Sequence, residues 1–138
     1  MIDTNTEFGQ RVLRRLEEDQ IIWLTTVSKK GIAQPRPIWF LWEDDTVMMY
    51  SQPNTFKLGH IKRNPHVALN FNGDDHGGDI IVFTGVCEVD EKAPRADDHA
   101  AFIEKYQTGI KRINMTPKSF SDTYSVAIRA TLSSLRGH

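Results

Sequence analysis

The first twenty residues show the hydrophobic spacing of an amphipathic helix. Within Phe8–Leu16, apolar residues recur every three or four positions, and arginine and acidic residues fill the positions between them. Thr4 or Asn5 is placed to cap this helix, since Glu7 follows Thr4 at the spacing of a capping box. The pattern therefore predicts a first helix that ends near Gln20.

Beyond residue 20 the pattern becomes typical of β-strands. Pro35 and Pro37 cannot donate hydrogen bonds to a neighbouring strand, so the second strand should lie at an edge or a bulge of its sheet. Gly85 indicates a bulge or a close approach in the fifth strand. Six segments rich in β-branched and aromatic residues are predicted to be strands: Ile21–Val27, Ala33–Trp42, Thr46–Ser51, His66–Phe71, Ile80–Val89 and Tyr124–Leu132.

Two further helices are inserted between these strands. Asn64 and Pro65 end a short helix over Phe56–Arg63, and an amphipathic pattern predicts another helix over Pro94–Gln107. The strands mostly follow one another as antiparallel neighbours, which is unlike a doubly wound sheet. We therefore expect a mainly β (α+β) fold, a closed or nearly closed antiparallel barrel with flanking helices. The chain fits a single domain over residues 1–138.

The composition is that of an ordinary folded protein, with 39% hydrophobic and 25% charged residues. The net charge of −1 gives no electrostatic reason to expect nucleic-acid binding. No apolar run resembles a membrane span or a signal peptide, so we expect no membrane contact and a cytoplasmic location. Cys87 is the only cysteine, which excludes a disulfide within the chain, and its position in a predicted strand indicates a buried, inert thiol.

The junction between the third strand and the following helix has the features of an anion site. The strand ends at Ser51, and Thr55 and Lys57 stand near the start of the helix, where free backbone N–H groups favour anions. Arg36 on the neighbouring strand supplies a second cation, and the hydroxyl of Ser51 or Thr55 can donate as well. The segment Ser51–Lys57 is therefore a candidate site for a phosphate group. The alternative is an ordinary strand–helix junction with a surface lysine.

Aromatic residues crowd the second predicted strand and offer a surface for a planar ring. Trp39, Phe40 and Trp42 lie there, and the alternation of side chains along a strand places Trp39 and Phe40 on opposite faces. A planar ligand can stack on such a ring or lie against the backbone. At least one of these two residues is expected in the core, whatever the function.

The histidines and the acidic loop do not predict a metal site. The loop Asp74–Asp79 lacks the spacing of a calcium-binding loop, and its glycine and aspartate residues indicate a turn. His60, His66 and His99 have no partner at a helical or strand spacing that suggests metal ligation. We expect these three histidines at the surface or its boundary.

The chain offers no motif of side-chain catalysis. It contains no dinucleotide-binding glycine motif, no Walker loop and no nucleophile elbow, and no Ser–His–Asp or Cys–His arrangement appears. No catalytic residue is therefore predicted. Catalysis would rely on a bound electron carrier.

Several groups of residues occur in an order and spacing that resembles a known family. They are Leu24–Val27 with Gly31, Pro35–Phe40, Tyr50–Ser51, Lys57–Leu58 and Ile61–Leu69. Together, from Gln20 to Arg136, they resemble the pyridoxamine 5′-phosphate oxidase-like split β-barrel family, which binds FMN or the deazaflavin coenzyme F-420. The segments Phe102–Tyr106 and Leu135–His138 look like a subgroup of small, F-420-dependent members.

The resemblance implies a six-stranded split β-barrel and a homodimer with a cofactor at each subunit interface, touching both chains. By position, Lys57 corresponds to the family's phosphate-binding lysine, and Arg36 lies near an arginine that contacts the cofactor. Pro37–Trp39 would line the ring through their backbone, and Tyr50 and Ser51 stand where ribityl or phosphate contacts occur. The cofactor-binding residues expected on both grounds are Arg36, Pro37, Ile38, Trp39, Tyr50, Ser51, Thr55 and Lys57.

The function that the resemblance implies is an oxidoreductase. It would use F-420, which the subgroup favours, or FMN for two-electron hydride transfer to a small planar electrophilic substrate. The alternative is a non-catalytic protein that carries or senses FMN, F-420 or a haem-type ring. Ala33 stands where many members have proline. The chain also lacks the longer basic clusters and the C-terminal substrate-binding segment of true pyridoxamine phosphate oxidases, so that specific activity is not expected.

Overall fold

Seven antiparallel strands form a single sheet in the computed structural model, which describes residues 1–138. The strands are β1 (Ile21–Val27), β2 (Ala33–Trp39), β3 (Leu41–Glu43), β4 (Thr46–Ser51), β5 (His66–Asn70), β6 (Ile81–Val89) and β7 (Val126–Gly137). The helices are α1 (Glu7–Glu18), α2 (Phe56–Arg63), α3 (Ala100–Arg112) and α4 (Pro117–Thr123), with a 3-10 turn at Ala96–Asp98.

The two ends of this sheet are consecutive in the chain. The strand order is β2-β1-β5-β6-β7-β4-β3, and only Phe40 separates β2 from β3. One continuous segment therefore passes from one end of the sheet to the other, and the sheet curls into a half-barrel with helices at its flanks. The predicted fold class, an antiparallel α+β split barrel, is confirmed.

The prediction of a single second strand, Ala33–Trp42, is wrong because the chain breaks at Phe40. The backbone N–H of Phe40 donates to the Tyr106 hydroxyl at 2.8 Å, and its carbonyl accepts from Lys105 Nζ at 3.0 Å. Both partners are side chains of α3, which take the place of the bonds that a neighbouring strand would supply. The sheet consequently has seven strands rather than the predicted six.

The start of α1 also differs from the prediction. Thr6, rather than Thr4 or Asn5, is the N-cap, and its hydroxyl accepts from the Gly9 N–H at 2.9 Å. Thr6 has the extended backbone that an N-cap needs, and its own N–H is bonded to the carbonyl of Asp3. The first residues therefore form a turn before the helix begins. The bounds of β1, β4 and α2 are those predicted.

The C-terminal third departs furthest from the sequence-based expectation. The predicted helix Pro94–Gln107 is replaced by the 3-10 turn and by helix α3, which begins later and ends five residues further on, at Arg112. β7 extends to Gly137, beyond its predicted end. Helix α4 was not predicted. Thr116 and Ser119 form a capping box there, and Pro117 occupies the first turn. None of the helices is long and apolar enough to cross a membrane.

The expectations for special strand residues are confirmed. Pro35 and Pro37 lie on β2, which stands at one end of the strand order and pairs only with β1. In β6 the register shifts between Thr84 and Gly85. A methyl group at Gly85 would lie 2.5 Å from the carbonyl oxygen of Thr131 on β7, so only glycine fits this close approach.

Two hydrophobic clusters lie on opposite faces of the curled sheet. The larger one contains 16 buried residues, including Phe40, and packs against Val12 and Leu16 of α1. The smaller one contains 9 buried residues, including Phe102 of α3, and Trp39 packs against it. Trp39 and Phe40 therefore face opposite sides, as predicted, and the smaller cluster positions α3 and α4 next to Trp39.

One expectation about histidines is wrong. His60 is buried, with only 8% of its surface exposed, because its Nδ1 lies 2.8 Å from the hydroxyl of the buried Thr26. His66 is exposed and His99 is half-buried, as expected. Cys87 is fully buried, as predicted, and burial raises the pKa of its thiol to about 12.

Candidate cofactor site

A cavity of about 340 Å³ opens between the edge strand β2, the start of α2 and the helices α3 and α4. Six of the eight residues predicted to bind a cofactor line it: Arg36, Pro37, Ile38, Trp39, Tyr50 and Lys57. The remaining lining residues were not predicted; they are Ile21, Ile113, Phe120 and Tyr124. The fold thus brings together residues that lie far apart in the sequence.

One end of the cavity carries two cations without a counter-charge. Arg36 and Lys57 are both half-buried, and neither forms an ion pair with any carboxylate of the chain. Burial lowers the pKa of each side chain, and the charge of Arg36 lowers the pKa of Lys57 further. Two like charges held together in this way favour the binding of an anion.

The start of α2 adds backbone donors to this cationic end. Thr55 is the N-cap, but its side chain makes no capping bond with the helix and instead lies 3.2 Å from the Ser51 hydroxyl. The first N–H groups of α2 therefore lack the partner that a capping side chain usually provides. Such groups, beside Lys57, are suited to phosphate oxygens.

Ser51 and Thr55 do not line the cavity. The Ser51 hydroxyl donates to the carbonyl of Gln52 at 2.8 Å, and the side chain is almost completely buried. The pair Ser51 and Thr55 therefore shapes the turn that leads into α2, while Lys57 reaches the cavity.

The other end of the cavity is aromatic. Trp39 stacks on Tyr106, with ring centroids 4.7 Å apart and planes 9° from parallel, and on Phe120 at 5.5 Å and 17°. Phe120 in turn stacks on Tyr124 at 4.6 Å. Because each ring is held by the next, the wall is rigid and presents flat apolar surface to a ligand.

The two ends are separated by a short stretch of β2. Arg36 and Trp39 are three residues apart, which corresponds to roughly 10 Å along an extended strand. Pro37 and Ile38 lie between them and also line the cavity. The arrangement suits an elongated ligand with an anionic group at one end and a planar ring at the other.

Only one of the three tyrosine hydroxyls is free to contact a ligand. The Tyr50 hydroxyl donates to the carbonyl of Pro94 at 2.7 Å, and burial, with a smaller effect of Glu43, raises its pKa. The Tyr106 hydroxyl lies within 2.6 Å and 2.7 Å of the carbonyl oxygens of Gln20 and Phe40. Tyr124 makes no such bond, so its hydroxyl is the one hydroxyl of the cavity wall that is free to donate to a ligand.

The acidic loop forms a turn, as predicted. Oδ1 of Asp74 accepts from the N–H groups of His76 at 2.8 Å and Gly78 at 2.7 Å, and these bonds hold the pKa of Asp74 below its usual range. Asp79 instead pairs with Arg15 of α1 at 2.8 Å. The carboxylates of this loop thus serve its own backbone and the first helix.

Helix α4 and its C-cap supply two of the four cavity residues that were not predicted, Phe120 and Tyr124. Thr116 followed by Pro117 is a recognisable start of a helix, so α4 itself had a local signal. Nothing in the sequence indicates that Phe120 of this helix, and Tyr124 at its C-cap, lie in the same cavity as Trp39. Their part in the cavity depends on packing between distant segments.

The sequence of the chain matches one protein-family model over residues 8–136, that of pyridoxamine 5′-phosphate oxidase. Among curated proteins, none matches the sequence.

Solved structures share the fold at low sequence identity. A candidate pyridoxamine 5′-phosphate oxidase from Listeria innocua superposes with a TM-score of 0.66 at 23% identity, covering 92% of this chain and 94% of that one. An F-420 reductase gives 0.64 at 22% identity, covering 89% and 94%. The haem storage protein HutZ from Vibrio cholerae gives 0.66 at 13% identity, covering 96% and 95%. Proteins with this fold are thus named for different ligands, so the fold alone does not choose between them.

Proposed function

The chain belongs to the pyridoxamine 5′-phosphate oxidase family, and on this premise we propose that its cavity binds a phosphorylated flavin-type cofactor, coenzyme F-420 or FMN. The observation that carries the proposal is the presence of two unpaired cations, Arg36 and Lys57, in the same cavity as the aromatic wall. Both cofactors join a tricyclic ring to a phosphate through an extended polyol chain. The residues present fit such a molecule at both of its ends.

In this proposal the phosphate lies against Arg36, Lys57 and the first N–H groups of α2. Ser51 and Thr55 hold the turn that presents those N–H groups. The ring lies along Pro37–Trp39, and Tyr50 lines the space beside the polyol chain. F-420 carries a phosphodiester and FMN a monoester, and the two cations of the site can pair with either.

We propose that the protein is an oxidoreductase acting on a small planar electrophile. The bound cofactor supplies a hydride, and the protein supplies orientation and exclusion of water. Phe120 offers apolar surface to a planar substrate, and the Tyr124 hydroxyl donates a hydrogen bond to a substrate oxygen that gains charge. No other uncharged hydroxyl lining the cavity is free for this role.

The cavity of one chain is too small and too open to enclose such a complex. Its volume of about 340 Å³ stands at the low end of the roughly 300–1,000 Å³ typical of small-molecule sites. Two apolar residues at its rim are exposed, Ile21 at 37% and Ile113 at 43%. We propose that a second copy of the chain covers them and completes the site.

The cavity lining does not favour a haem-binding role. No histidine, cysteine or methionine lines the cavity; of its two tyrosines, Tyr50 bonds the carbonyl of Pro94, and only the Tyr124 hydroxyl is free to bind an iron atom. A non-catalytic carrier of F-420 or FMN would use the same contacts as the oxidoreductase. Only a measurement of turnover therefore distinguishes the carrier from the enzyme.

Steady-state reduction of quinones, with reduced F-420 and reduced FMN supplied in parallel, tests the catalytic part. We expect turnover with at least one of the two cofactors. Tight binding of a cofactor without turnover, across quinones and nitroaromatic acceptors, would contradict the oxidoreductase and leave a carrier.

A further inference from the structure

Arg36 is tied to the protein by a single side-chain hydrogen bond. Its Nη1 donates to the hydroxyl oxygen of Thr26 at 3.3 Å. Thr26 lies on β1, two residues from the position opposite Arg36, so the two side chains are diagonal neighbours across the β1–β2 pair. Since Arg36 has a long flexible side chain, this bond is what directs its guanidinium.

Thr26 is held in turn by His60. The Thr26 side chain is fully buried, and its hydroxyl oxygen lies 2.8 Å from Nδ1 of His60 on α2. His60 itself is 92% buried, since only 8% of its surface is exposed. The three residues form one hydrogen-bonded chain from the interior of α2 to the cationic end of the cavity.

The partners available to the three groups set the direction of each bond in this chain. A guanidinium can only donate, so the Thr26 oxygen accepts from Arg36. The Thr26 hydroxyl is buried and has no other group that could accept its proton, so the proton goes to Nδ1 of His60, which is the acceptor. His60 is therefore neutral, with its proton on Nε2. Burial, together with the charges of Arg36 and Arg63, lowers the pKa of His60 and favours this neutral form.

We infer that Thr26 and His60 are positioning residues that hold the Arg36 guanidinium toward the cofactor phosphate. This inference rests on the proposed function, since it concerns the same cationic end. The pair touches no ligand itself. Its contribution is preorganisation: Arg36 does not have to be ordered when the phosphate binds.

A double-mutant cycle tests whether Thr26 acts through Arg36. Thr26→Val keeps the shape of the side chain and removes the hydroxyl, and Thr26→Ser keeps the hydroxyl. The ligand is whichever of FMN and F-420 the wild type binds more tightly. We expect Thr26→Val to raise its Kd about tenfold, and Thr26→Ser to stay within about threefold of the wild type. In an Arg36→Ala background, Thr26→Val should change the Kd by less than about twofold.

Thr25→Val is the matched control, because it makes the same change one residue away on the other face of β1. It should leave the Kd within about twofold of the wild type. An equal loss of affinity from Thr26→Val in the wild-type and Arg36→Ala backgrounds would overturn the inference, because a merely structural effect does not depend on Arg36. An unchanged Kd in Thr26→Val would overturn it as well.

The protonation of His60 gives a second test that needs neither a variant nor a cofactor. In ¹⁵N NMR spectra of the ligand-free wild type at neutral pH, we expect the neutral ring with its proton on Nε2. A proton on Nδ1, or a charged ring, would contradict the assigned direction of the bond between Thr26 and His60. If the wild type bound neither FMN nor F-420, the proposed function would fail, and this spectrum would still show whether the chain exists.

Discussion

Trp39 packs directly on the backbone of Gly109 in α3. A methyl group at Gly109 would lie 3.0 Å from both Cζ2 and Cη2 of the indole ring. A glycine inside a helix lowers stability by about 1 kcal/mol relative to alanine. The packing of Trp39 explains why position 109 is nevertheless a glycine. The close approach lets Trp39 stack on Tyr106 and Phe120 and form the wall of the cavity.

Gly109→Ala should destabilise the protein. Trp39 is stacked on two rings and has little room to move, so overpacking outweighs the gain in helix propensity. We expect the free energy of unfolding to fall by about 1–2 kcal/mol in urea denaturation. Gly59→Ala is the control: a methyl group there meets only Arg63 Nη2 at 3.8 Å, and stability should rise by about 0.5–1 kcal/mol. A higher free energy of unfolding for Gly109→Ala than for the wild type would show that Trp39 can shift to make room for the methyl group.

Tyr124→Phe should impair turnover and spare cofactor binding. The change removes only a hydroxyl that has no partner within the chain, and the stacking on Phe120 is retained. We expect kcat/KM for quinone reduction to fall about two- to tenfold, the range of one neutral hydrogen bond, with the cofactor Kd unchanged. Equal activity of the variant and the wild type would exclude a role for this hydroxyl in the reaction.

Lys105 should titrate well below an ordinary lysine. Its ammonium lies 3.9 Å from the centre of the Phe40 ring and donates to the Phe40 carbonyl. Burial lowers its pKa to about 8, although Asp19 acts in the opposite direction. A ¹³Cε NMR titration should give this value directly, and a midpoint near that of a free lysine would contradict it.

The same pKa has a consequence for stability. Between about pH 8 and the ordinary lysine pKa of about 10.4, the unfolded chain binds a proton that the folded chain has lost, so stability rises with pH in that window. Lys105→Met removes this titration. The stability of the wild type relative to Lys105→Met should therefore increase from about pH 7 to about pH 10, as measured by urea unfolding at both values.

Ile113→Asp should disrupt the proposed dimer. Ile113 lies at the cavity rim with 43% of its surface exposed, and a charge there would be buried against the second copy. We expect light scattering to show a dimer for the wild type and a monomer for the variant, with weaker cofactor binding. Ile32→Asp is the control, since Ile32 is more exposed and lies outside the cavity. A monomeric wild type with full cofactor affinity would contradict the shared site.

The sequence predicted best those elements whose signals are local. β1, β4 and α2 have the predicted bounds because turn residues, β-branched runs and Pro65 define their ends. The break at Phe40 was not predictable, since Tyr106 and Lys105, more than sixty residues away, bond its backbone. His60 was expected near the surface for the same reason: its partner Thr26 belongs to another element.

In the candidate site, too, the residues with local sequence signals were predicted and those placed by long-range packing were not. Arg36, Lys57 and the residues of β2 between Arg36 and Trp39 were chosen from local chemistry and family resemblance, and the fold places them in one cavity. Phe120 and Tyr124 were missed because their position depends on how α4 packs on the sheet. Local sequence patterns therefore predict the cationic end of the site better than its aromatic wall.

We propose that Arg36 and Lys57 bind the phosphate of a flavin-type cofactor. The most direct measurement is a parallel titration of FMN and F-420 into the wild type, Lys57→Ala and Lys62→Ala. Lys62 is an exposed lysine of the same helix, outside the cavity. We expect Lys57→Ala to weaken binding by about 1.5–3 kcal/mol, the range of a charge-assisted hydrogen bond, and Lys62→Ala to match the wild type. Equal affinities in all three proteins would contradict the claim.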